Sequence, residues 1–444
     1  MSDYNILKHG AKGDGSTNDA AAIQATIDKC AAMGGGRVTV PAGRTFTAGP
    51  IQLKSGIEFH LEHTARLHAI PDRALFIEDA LPPRYGGDGK KWIHAFEAED
   101  IAISGTGTID GRGVEFMGEE LPHIYKTDLG RPFVITFEAC KRVTIRDVTL
   151  RDSPFWSTHL AGCEDILISG IRLLNNLKIP NADGIDPNRC RDLRIIGCHI
   201  VGGDDCICPK SEEGFERYGD NEDFVVSGCT MVSTSCAIKL GSTTYGGMRR
   251  FVFDNCIIKG SHRGIGLQHR DQGVIEDMLF SNMVIETRLF EQSWWGEGCP
   301  IYVTSFPRTA DTELGTIRNI RFSNIQARGE SGVYVAAQEA GHIDNIALDR
   351  VSLEINKTSK IDGGFYDRRP GAADPLIQSS PTSGFHLENA ADISAHDCRV
   401  TWGENRPDYY RHAVYAKNVD GLDLQNLHGE AAFPERVERV VQES

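Results

Sequence analysis

The chain has 444 residues, of which 40% are hydrophobic and 25% charged, and its mean hydropathy is −0.30. It carries 47 basic and 62 acidic side chains, a formal charge of −15 at pH 7, which disfavours nucleic acids and anionic membrane surfaces as partners. No apolar run approaches the roughly 18 residues that a membrane helix needs. The composition therefore indicates a folded protein with a large core and neither of those partners.

The first predicted element is an amphipathic helix over Asp19–Ala32, which ends at Gly34–Gly36. We expect this N-terminal region, about residues 15–36, to cap the open end of a repeat structure, whose first coil would otherwise expose a sticky edge. The start, Met1–Tyr4, has no basic segment followed by an apolar stretch. We therefore expect a cytoplasmic location, or a periplasmic or secreted one if a signal has been removed.

Short stretches of alternating apolar and polar residues recur at intervals of about 23 to 40 residues from about Ala139 onward. The clearest copies are Val143–Leu150, Ile166–Leu173 and Leu193–Ile200, and further copies are 224–231, 251–258, 278–285, 320–327 and 346–353. Strands this short cannot bury their apolar residues alone, so the pattern predicts a β-solenoid in which each coil stacks on its neighbours.

Within each copy, one position between two strands is small or polar. Its occupants are Asp147, Gly170, Gly197, Gly228, Asn255, Asn282 and Asn324. Gly and Asn tolerate a left-handed backbone, so this position is predicted to be a corner of the coil. Cys198, Cys229 and Cys256 follow the corner directly and indicate a ladder of small buried side chains. None of the 12 cysteines forms a C-x-x-C pair, which disfavours disulfide and zinc sites.

We predict one domain over residues 1–444, because no internal linker interrupts the repeats. Two insertions, Arg84–Trp92 and Glu286–Pro300, are polar and rich in Gly, Trp and Tyr. Loops of this length on a solenoid usually build a binding face, so residues 286–300 in particular are expected there.

Two aspartate motifs lie about one coil apart. Asp183, in Asn181–Asp186, precedes the adjacent Asp204 and Asp205 by 21 and 22 residues. Residues one coil apart lie roughly 4.8 Å above each other, so the spacing predicts three carboxylates on one face. Such a cluster retains a proton, and a protonated acid beside ionised carboxylates can hydrolyse a glycosidic bond. A pair of tight turns or a calcium site would use the same residue types.

At these motifs the chain resembles the polygalacturonase family, glycoside hydrolase family 28. The resemblance also covers Tyr4–Leu7, Gly10–Gly15, Gly105–Gly111 and Ser153–Trp156. It implies an all-β fold, a right-handed single-stranded parallel β-helix of the pectin-lyase type, with no cofactor and no metal. It further implies that Asp204 is the general acid, that Asp183 and Asp205 activate water, and that the anomeric configuration inverts.

Two further motifs of the family depart from its pattern. Cys236, in Ser235–Ser242, stands where the family has a histidine. The Arg-Ile-Lys motif, which grips the substrate carboxylate, falls near Arg263–Arg270, and glycines stand where Arg and Lys belong. The cleaving residues are therefore kept while the grip on galacturonate changes, and we expect a different sugar from that of ordinary pectin endo-hydrolysis.

Candidates for a rebuilt pocket are side chains that can bind uronic carboxylates or sugar faces. They are Asn181, Asp186, His159, Lys210, Lys239, Arg263, His269, Arg270, Trp294 and Trp295. A structural role for His159 is an equally open interpretation. The same holds for loop packing by the two tryptophans.

The sequence thus predicts an exo-acting, inverting glycosidase that cleaves a pectic or related uronic-acid- or rhamnose-containing oligosaccharide, with an oligosaccharide or polysaccharide as its substrate partner. A β-helix uronan lyase or epimerase with an Arg or Lys base is one alternative. A non-catalytic carbohydrate-binding solenoid is another. The oligomeric state stays open.

Overall fold

A computed structural model describes residues 3–82, 85–291 and 293–444. Its residues group into two units, the first comprising Met1–Ile207 and Glu213–Phe224, and the second Cys208–Glu212 and Val225–Ser444. The single domain over residues 1–444 stays a prediction, and each unit is described by itself.

In the first unit, successive strands distribute over three parallel sheets, so that each coil adds one strand to each sheet. Sheet A contains β1 (Asp3–Asn5), β3 (Gly36–Val40), β6 (Ile57–Leu61), β9 (Glu99–Gly105), β14 (Lys141–Arg146), β17 (Glu164–Ser169) and β20 (Arg191–Ile196). Sheet B contains β2 (Asp14–Asn18), β4 (Thr45–Ala48), β7 (Arg66–Ala69), β10 (Thr108–Asp110), β15 (Thr149–Arg151), β18 (Arg172–Leu174) and β21 (His199–Gly202). Sheet C contains β5 (Ile51–Gln52), β8 (Ile93–Phe96), β13 (Ile135–Glu138), β16 (Thr158–Ala161) and β19 (Ile185–Asn188). Two further strands, β11 (Met117–Glu120) and β12 (Tyr125–Thr127), form an antiparallel hairpin, and β22 (Asn221–Ser227) contains residues of both units.

The second unit repeats this arrangement. Sheet A′ contains β25 (Met248–Asp254), the first halves of β28 (Val274–Thr287), β30 (Thr316–Gly329) and β32 (Ile343–Ile355), the second half of β35 (Phe385–His396), and β38 (Asp423–Gln425). Sheet B′ contains β23 (Thr230–Ser233), β26 (Ile257–Ser261), the second halves of β28, β30 and β32, and β36 (Arg399–Trp402). Sheet C′ contains β24 (Cys236–Gly241), β27 (Arg263–His269), β29 (Ile301–Ser305), β31 (Val333–Ala337), the first half of β35, β37 (Val414–Asp420) and β39 (Val440–Glu443). A separate antiparallel hairpin consists of β33 (Phe365–Asp367) and β34 (Ile377–Ser379).

Inward-facing apolar residues form the core of each unit, because alternate residues of a strand point to the same face. In the first unit Val143, Ile166 and Leu193 occupy one register and are buried. In the second, the stacked rings of Phe253, Phe280 and Phe322 have centroid distances of 4.8 and 5.1 Å. The alternation therefore confirms the predicted parallel β-helix.

The predicted N-terminal helix is present as α1 (Ala20–Ala32), with Ile23, Ile27 and Cys30 buried. It packs against the first strands of the first unit, as a cap should. In the described part of the chain, no helix has both the length and the apolar character required to cross a membrane.

All seven predicted corner residues adopt a left-handed backbone, with φ between 54° at Asn255 and 66° at Asp147. A second left-handed row, not predicted, occurs at the second residue of the strands of sheet A, for example at Arg142, Asp165 and Asp192 with φ of 53–54°. This row lies within strands and not between them, so the sequence pattern did not mark it.

The 12 cysteines are buried free thiols. Cys229 and Cys256 are close enough for their thiols to interact, and this interaction raises the pKa of Cys256. A second ladder, which the sequence did not predict, joins Cys140, Cys163 and Cys190 in the first unit. The thiols thus serve as small core side chains, as interpreted from the sequence.

Candidate active site

The first unit brings Asp183, Asp204 and Asp205 together, as their spacing predicted. One carboxylate oxygen from each lies within 4.8 Å of those of the other two. Asp183 and Asp205 are 3% and 1% exposed, whereas Asp204 is half-buried and the most accessible of the three. The cluster therefore has one carboxylate facing solvent and two set beneath the surface.

Backbone hydrogen bonds between coils fix the two aspartate motifs. The carbonyl of Asp183 accepts bonds from the backbone N–H and the hydroxyl of Ser157, at 2.9 and 2.8 Å. The N–H of Gly184 donates to the carbonyl of Asp205 at 2.8 Å, and Ile185 pairs with Ile207 as in a parallel ladder. The carboxylates thus come from consecutive coils of one sheet, which explains why an interval of one coil brings them together.

Glycines beside the aspartates permit this close approach of backbones. A Cβ atom on Gly184 would lie 2.3 Å from the carbonyl oxygen of Cys206, and one on Gly203 would lie 2.5 Å from the carbonyl oxygens of Asn176 and Ile179. Any side chain at these positions would push the coils apart. The glycines of both motifs are therefore required by packing.

A buried ion pair supports the loop that carries Asn181. Arg131 and Asp88 are 2% and 6% exposed and form a bidentate pair, with Nη2 to Oδ2 at 2.7 Å. Arg131 also donates to Oδ1 of Asn181 at 3.1 Å and to the carbonyl of Pro180 at 2.8 Å. The backbone N–H of Asn181 in turn donates to Oδ2 of Asp204 at 3.2 Å. Neither Arg131 nor Asp88 was selected from the sequence, although Asp88 lies in the predicted 84–92 insertion, whose first residue is outside the described residues.

His159 and Asp186 occupy paired positions on β16 and β19. Both are buried, and the His159 ring stacks on Phe133 with a centroid distance of 5.1 Å and meets the edge of Trp156 at 5.6 Å. Tyr85, from the 84–92 insertion, packs against Trp156 at 5.9 Å. This insertion therefore adds to an aromatic cluster around His159.

The sequence of this chain matches known proteins over most of its length. The family model for glycosyl hydrolases family 28 matches residues 30–363, which is more than half of the chain. The chain belongs to glycosyl hydrolases family 28.

Relatives of this family 28 chain include proteins named polygalacturonase and exopolygalacturonase. It is 30% identical over 317 residues to a probable polygalacturonase of Vitis vinifera, a match covering 66% of this chain and 62% of the relative. It is 23% identical to an exopolygalacturonase of Platanus acerifolia, covering 79% of this chain and 89% of that protein. Among solved structures, a hyperthermoactive exopolygalacturonase from Thermotoga maritima has 25% sequence identity and a TM-score of 0.66, covering 80% of this chain and 87% of that one. These neighbours confirm the right-handed, pectin-lyase-like β-helix.

In the second unit of the family 28 chain, Lys210 and Lys239 are buried cations, 6% and 8% exposed. The Lys210 ammonium lies 2.8 Å from Sγ of Cys208. Lys239 on β24 pairs in register with Gly266 on β27, a residue without a side chain. Cys236, where the family has a histidine, is fully buried and donates to the carbonyl of Ile238 at 3.0 Å.

The Arg263 side chain is buried and contacts other residues of the second unit. Its side chain is 1% exposed, pairs with Glu297 at 3.0 Å and lies over the Tyr302 ring at 4.1 Å. It also donates to the carbonyl of Asp367 at 2.6 Å. The family 28 chain therefore uses Arg263 to hold the β33–β34 hairpin, a structural role in place of the substrate contact expected from the sequence.

His269 and Arg270 are buried structural groups as well. The two ring nitrogens of His269 are bonded to the hydroxyl of Ser305 and the carbonyl of Gly273, both at 2.8 Å, and burial lowers its pKa to about 4. Arg270 donates to the carbonyls of Pro370 and Arg368, at 2.6 and 3.1 Å. Arg270 thus holds the segment between the two strands of the hairpin, and His269 links neighbouring parts of the second unit, so these contacts favour structural roles over the substrate contact predicted for both residues.

The predicted 286–300 loop carries the two tryptophans. Trp294 is 5% exposed and lines a cavity of about 140 Å³ with His262, Phe290 and Arg369, whereas Trp295 is 38% exposed. The Arg369 guanidinium lies 5.7 Å from the Trp295 ring centroid. Of the two tryptophans, Trp295 is the more accessible to a ligand, and a substrate contact stays a prediction for both. Gln292 lies outside the described residues.

Proposed function

We propose that this family 28 chain is an exo-acting, inverting glycosidase that hydrolyses a pectic or related oligosaccharide containing uronic acid or rhamnose. The observation that carries the proposal is the cluster of Asp183, Asp204 and Asp205, whose carboxylate oxygens lie within 4.8 Å. Relatives and solved neighbours named polygalacturonase or exopolygalacturonase support the reaction class.

The roles proposed here are those that the family resemblance implies, and the accessibility and charge of the three carboxylates support them. Three carboxylates this close cannot all ionise freely, so the cluster keeps a proton. Asp204, the most exposed, donates that proton to the glycosidic oxygen as the bond to C1 breaks. Asp183 and Asp205 hold a water molecule, accept its proton and direct its oxygen to C1. The Asn181 N–H on Oδ2 of Asp204 stabilises the carboxylate left after proton donation.

Inversion rests on the family resemblance. Inverting glycosidases usually separate their carboxyl groups by about 6.5–9.5 Å, and the oxygens here approach more closely than that. Proton NMR of the freshly released sugar distinguishes the two outcomes, because inversion gives the opposite anomer before mutarotation. A product that retains the configuration of the substrate contradicts this part of the proposal.

Lys239 is our choice for the group that binds a uronic carboxylate. The family motif places Arg and Lys at positions that here are Gly264 and Gly266, and Lys239 is the register partner of Gly266. Lys239 therefore has no side chain beside it at that register position of β27, and an ammonium can pair with a carboxylate. We expect Lys239→Met to raise KM for uronate-containing substrates at least about tenfold and to leave neutral substrates unaffected. An equal effect on both contradicts this assignment.

Exo-action on short substrates is supported by the relative and the solved neighbour named exopolygalacturonase. Within the second unit, the β33–β34 hairpin covers part of sheet C′. Tyr366 of the hairpin stacks on Tyr334 of β31 at 3.9 Å, and the hydroxyl of Tyr302 on β29 donates to the carbonyl of Asp367 at 2.7 Å. A long polysaccharide lying along the outer face of this sheet would meet the hairpin. An exo-enzyme releases reducing ends while the viscosity of a polymer barely changes, whereas a rapid fall in viscosity would show endo-action.

A uronan lyase is less well supported, because Arg263, one candidate base, is buried in its pair with Glu297. The deciding experiment is product analysis on pectic and rhamnogalacturonan oligosaccharides with Asp204→Asn. The matched control is Asp165→Asn, which changes an exposed aspartate that pairs with Arg194. We expect saturated sugars from the wild type and the control and none from Asp204→Asn. Unsaturated products would favour the lyase, and binding without turnover would favour a carbohydrate-binding solenoid.

A further inference from the structure

The second unit contains a cavity that none of the predicted site residues lines. Its volume is about 190 Å³, and its walls include Gln378, Ser380, His386, Glu388, Tyr415 and Lys417. Water occupies about 30 Å³ per molecule in the liquid, so the space corresponds to roughly six waters, the scale of a single sugar ring.

Two neighbouring strands build the floor of this cavity. His386 and Glu388 of β35 are in register with Tyr415 and Lys417 of β37, so the four outward side chains form one square patch. The Tyr415 ring lies 5.0 Å from that of His386, and its hydroxyl donates to Glu443 at 2.8 Å. A fixed aromatic ring beside paired polar groups suits a pyranose, which has an apolar C–H face and hydroxyls at its rim.

His386 has unmet hydrogen-bonding capacity inside the cavity. It is 3% exposed, and no described residue forms a hydrogen bond with either ring nitrogen; Nε2 lies 3.7 Å from Oε2 of Glu388. Burial lowers its pKa, so the neutral ring offers one donor and one acceptor. Buried polar groups in folded proteins nearly always have partners, which indicates that a ligand or solvent fills this role here.

The charges of the cavity complement an acidic sugar. Glu388 is 13% exposed in its side chain and lies 3.3 Å from Nη2 of Arg368 and 3.9 Å from the Lys417 ammonium. Glu388 thus has two cations within 4 Å. Lys417 is 49% exposed and can turn toward a carboxylate on a bound ring.

The cavity is separate from Lys239 within sheet C′. The strands between β24 and β35 are β27, β29 and β31, and the β33–β34 hairpin covers β29 and β31 through Tyr302 and Tyr334. Four strand spacings of about 4.8 Å place the two positions about 19 Å apart. One short oligosaccharide cannot occupy both.

We propose that this cavity is an auxiliary binding site for one uronic acid residue of a saccharide. Glu388 and His386 bind its hydroxyls, Tyr415 contacts its C–H face, and Lys417 pairs with its carboxylate. The identity of the saccharide as a pectic fragment rests on the proposed function, whereas the site itself does not. Such a site retains acidic fragments near the enzyme without taking part in bond cleavage.

The test measures binding of galacturonic acid to the full chain by calorimetry and saturation-transfer NMR, with galactose as the neutral comparison. Glu388→Gln keeps the volume of the side chain, and the control Glu354→Gln changes an exposed glutamate that pairs with Arg328. We expect Glu388→Gln to weaken galacturonate binding at least about tenfold, because hydrogen bonds to an ionised group are lost. The control should bind as the wild type does, and both variants should keep wild-type kcat on a trisaccharide.

Lys417→Met is the second variant. The Lys417 side chain is 49% exposed, so its replacement should leave the fold intact. It should lower affinity for galacturonate and leave any weak binding of galactose unchanged. Equal affinities of Glu388→Gln and Glu354→Gln for galacturonate overturn the proposal, as does equal binding of galactose and galacturonate by the wild type. Glu388-dependent binding in a chain that cleaves no substrate would refute the proposed hydrolase and leave this site standing.

Discussion

Replacing Arg131 by Met should damage catalysis without touching the three aspartates. Nη2 of Arg131 donates to Oδ1 of Asn181 at 3.1 Å, and the backbone N–H of Asn181 donates to Oδ2 of Asp204 at 3.2 Å. Loss of this support lets the loop shift, and a displacement of about 1 Å at a reacting group can cost about 100-fold in rate. We therefore expect kcat to fall between about 10- and 100-fold, with a smaller change in KM.

The same substitution has a separate effect on stability. The Arg131 and Asp88 side chains are 3% and 7% exposed, so removing the cation leaves a buried carboxylate without its partner. Breaking a buried pair in this way costs about 3–5 kcal/mol. Arg142→Met is the matched control: Arg142 pairs with Asp100 at 2.7 Å but is 46% exposed, and such pairs contribute at most about 1 kcal/mol.

Adding Asp88→Asn to Arg131→Met separates the two effects. The double variant removes the unpaired charge, so it should recover part of the lost stability, while kcat stays low because Asn181 is still unsupported. Urea unfolding gives the stability change, and initial rates on a trisaccharide give kcat. If folded Arg131→Met has the kcat of Arg142→Met, the positioning argument is refuted.

Three further predictions follow from packing and burial. Gly184→Ala should destabilise the chain and reduce kcat, since its Cβ would lie 2.3 Å from the Cys206 carbonyl oxygen. A Cβ at Gly197 has no atom within 4 Å, so Gly197→Ala, the control, should cost only the roughly 1–2 kcal/mol of left-handed backbone strain. Unfolding midpoints that rank the two variants in the reverse order contradict this prediction. Burial lowers the pKa of His262 to about 3 and that of His269 to about 4, so the unfolded state binds more protons below pH 6.5 and the free energy of unfolding should fall as the pH decreases from 6.5. At pH 5 the loss from His269 alone is about 2 kcal/mol, and urea midpoints that rise on acidification would falsify the assignment. Because every cysteine is buried, the native chain should not react with a thiol reagent that modifies the unfolded chain fully, and fast labelling of the native chain would contradict that.

Local features of the chain were predictable because they depend on neighbours in sequence. Alternating apolar residues marked the strands, helical spacing marked α1, and Gly, Asn or Asp marked the left-handed corner at Asp147 and its equivalents. The aspartate cluster was also predictable, because its partners come from consecutive coils and the interval of one coil puts them in register. The second left-handed row was missed, because Arg142 and Asp165 lie within strands, where the sequence pattern gives no sign of a corner.

Only the tertiary structure distinguished charged side chains that bind the protein itself from those that can bind a ligand. Arg263 and Arg270 have the residue type of a carboxylate grip, yet both are buried against the hairpin about 100 residues further along the chain. Arg131 has the same chemistry and supports the aspartate cluster through Asn181. The residue type is the same in each of these settings, and the neighbouring residues in the sequence do not distinguish them. Its role depends on which distant segment packs over it, because burial decides whether its charge is balanced inside the protein or remains available to a substrate.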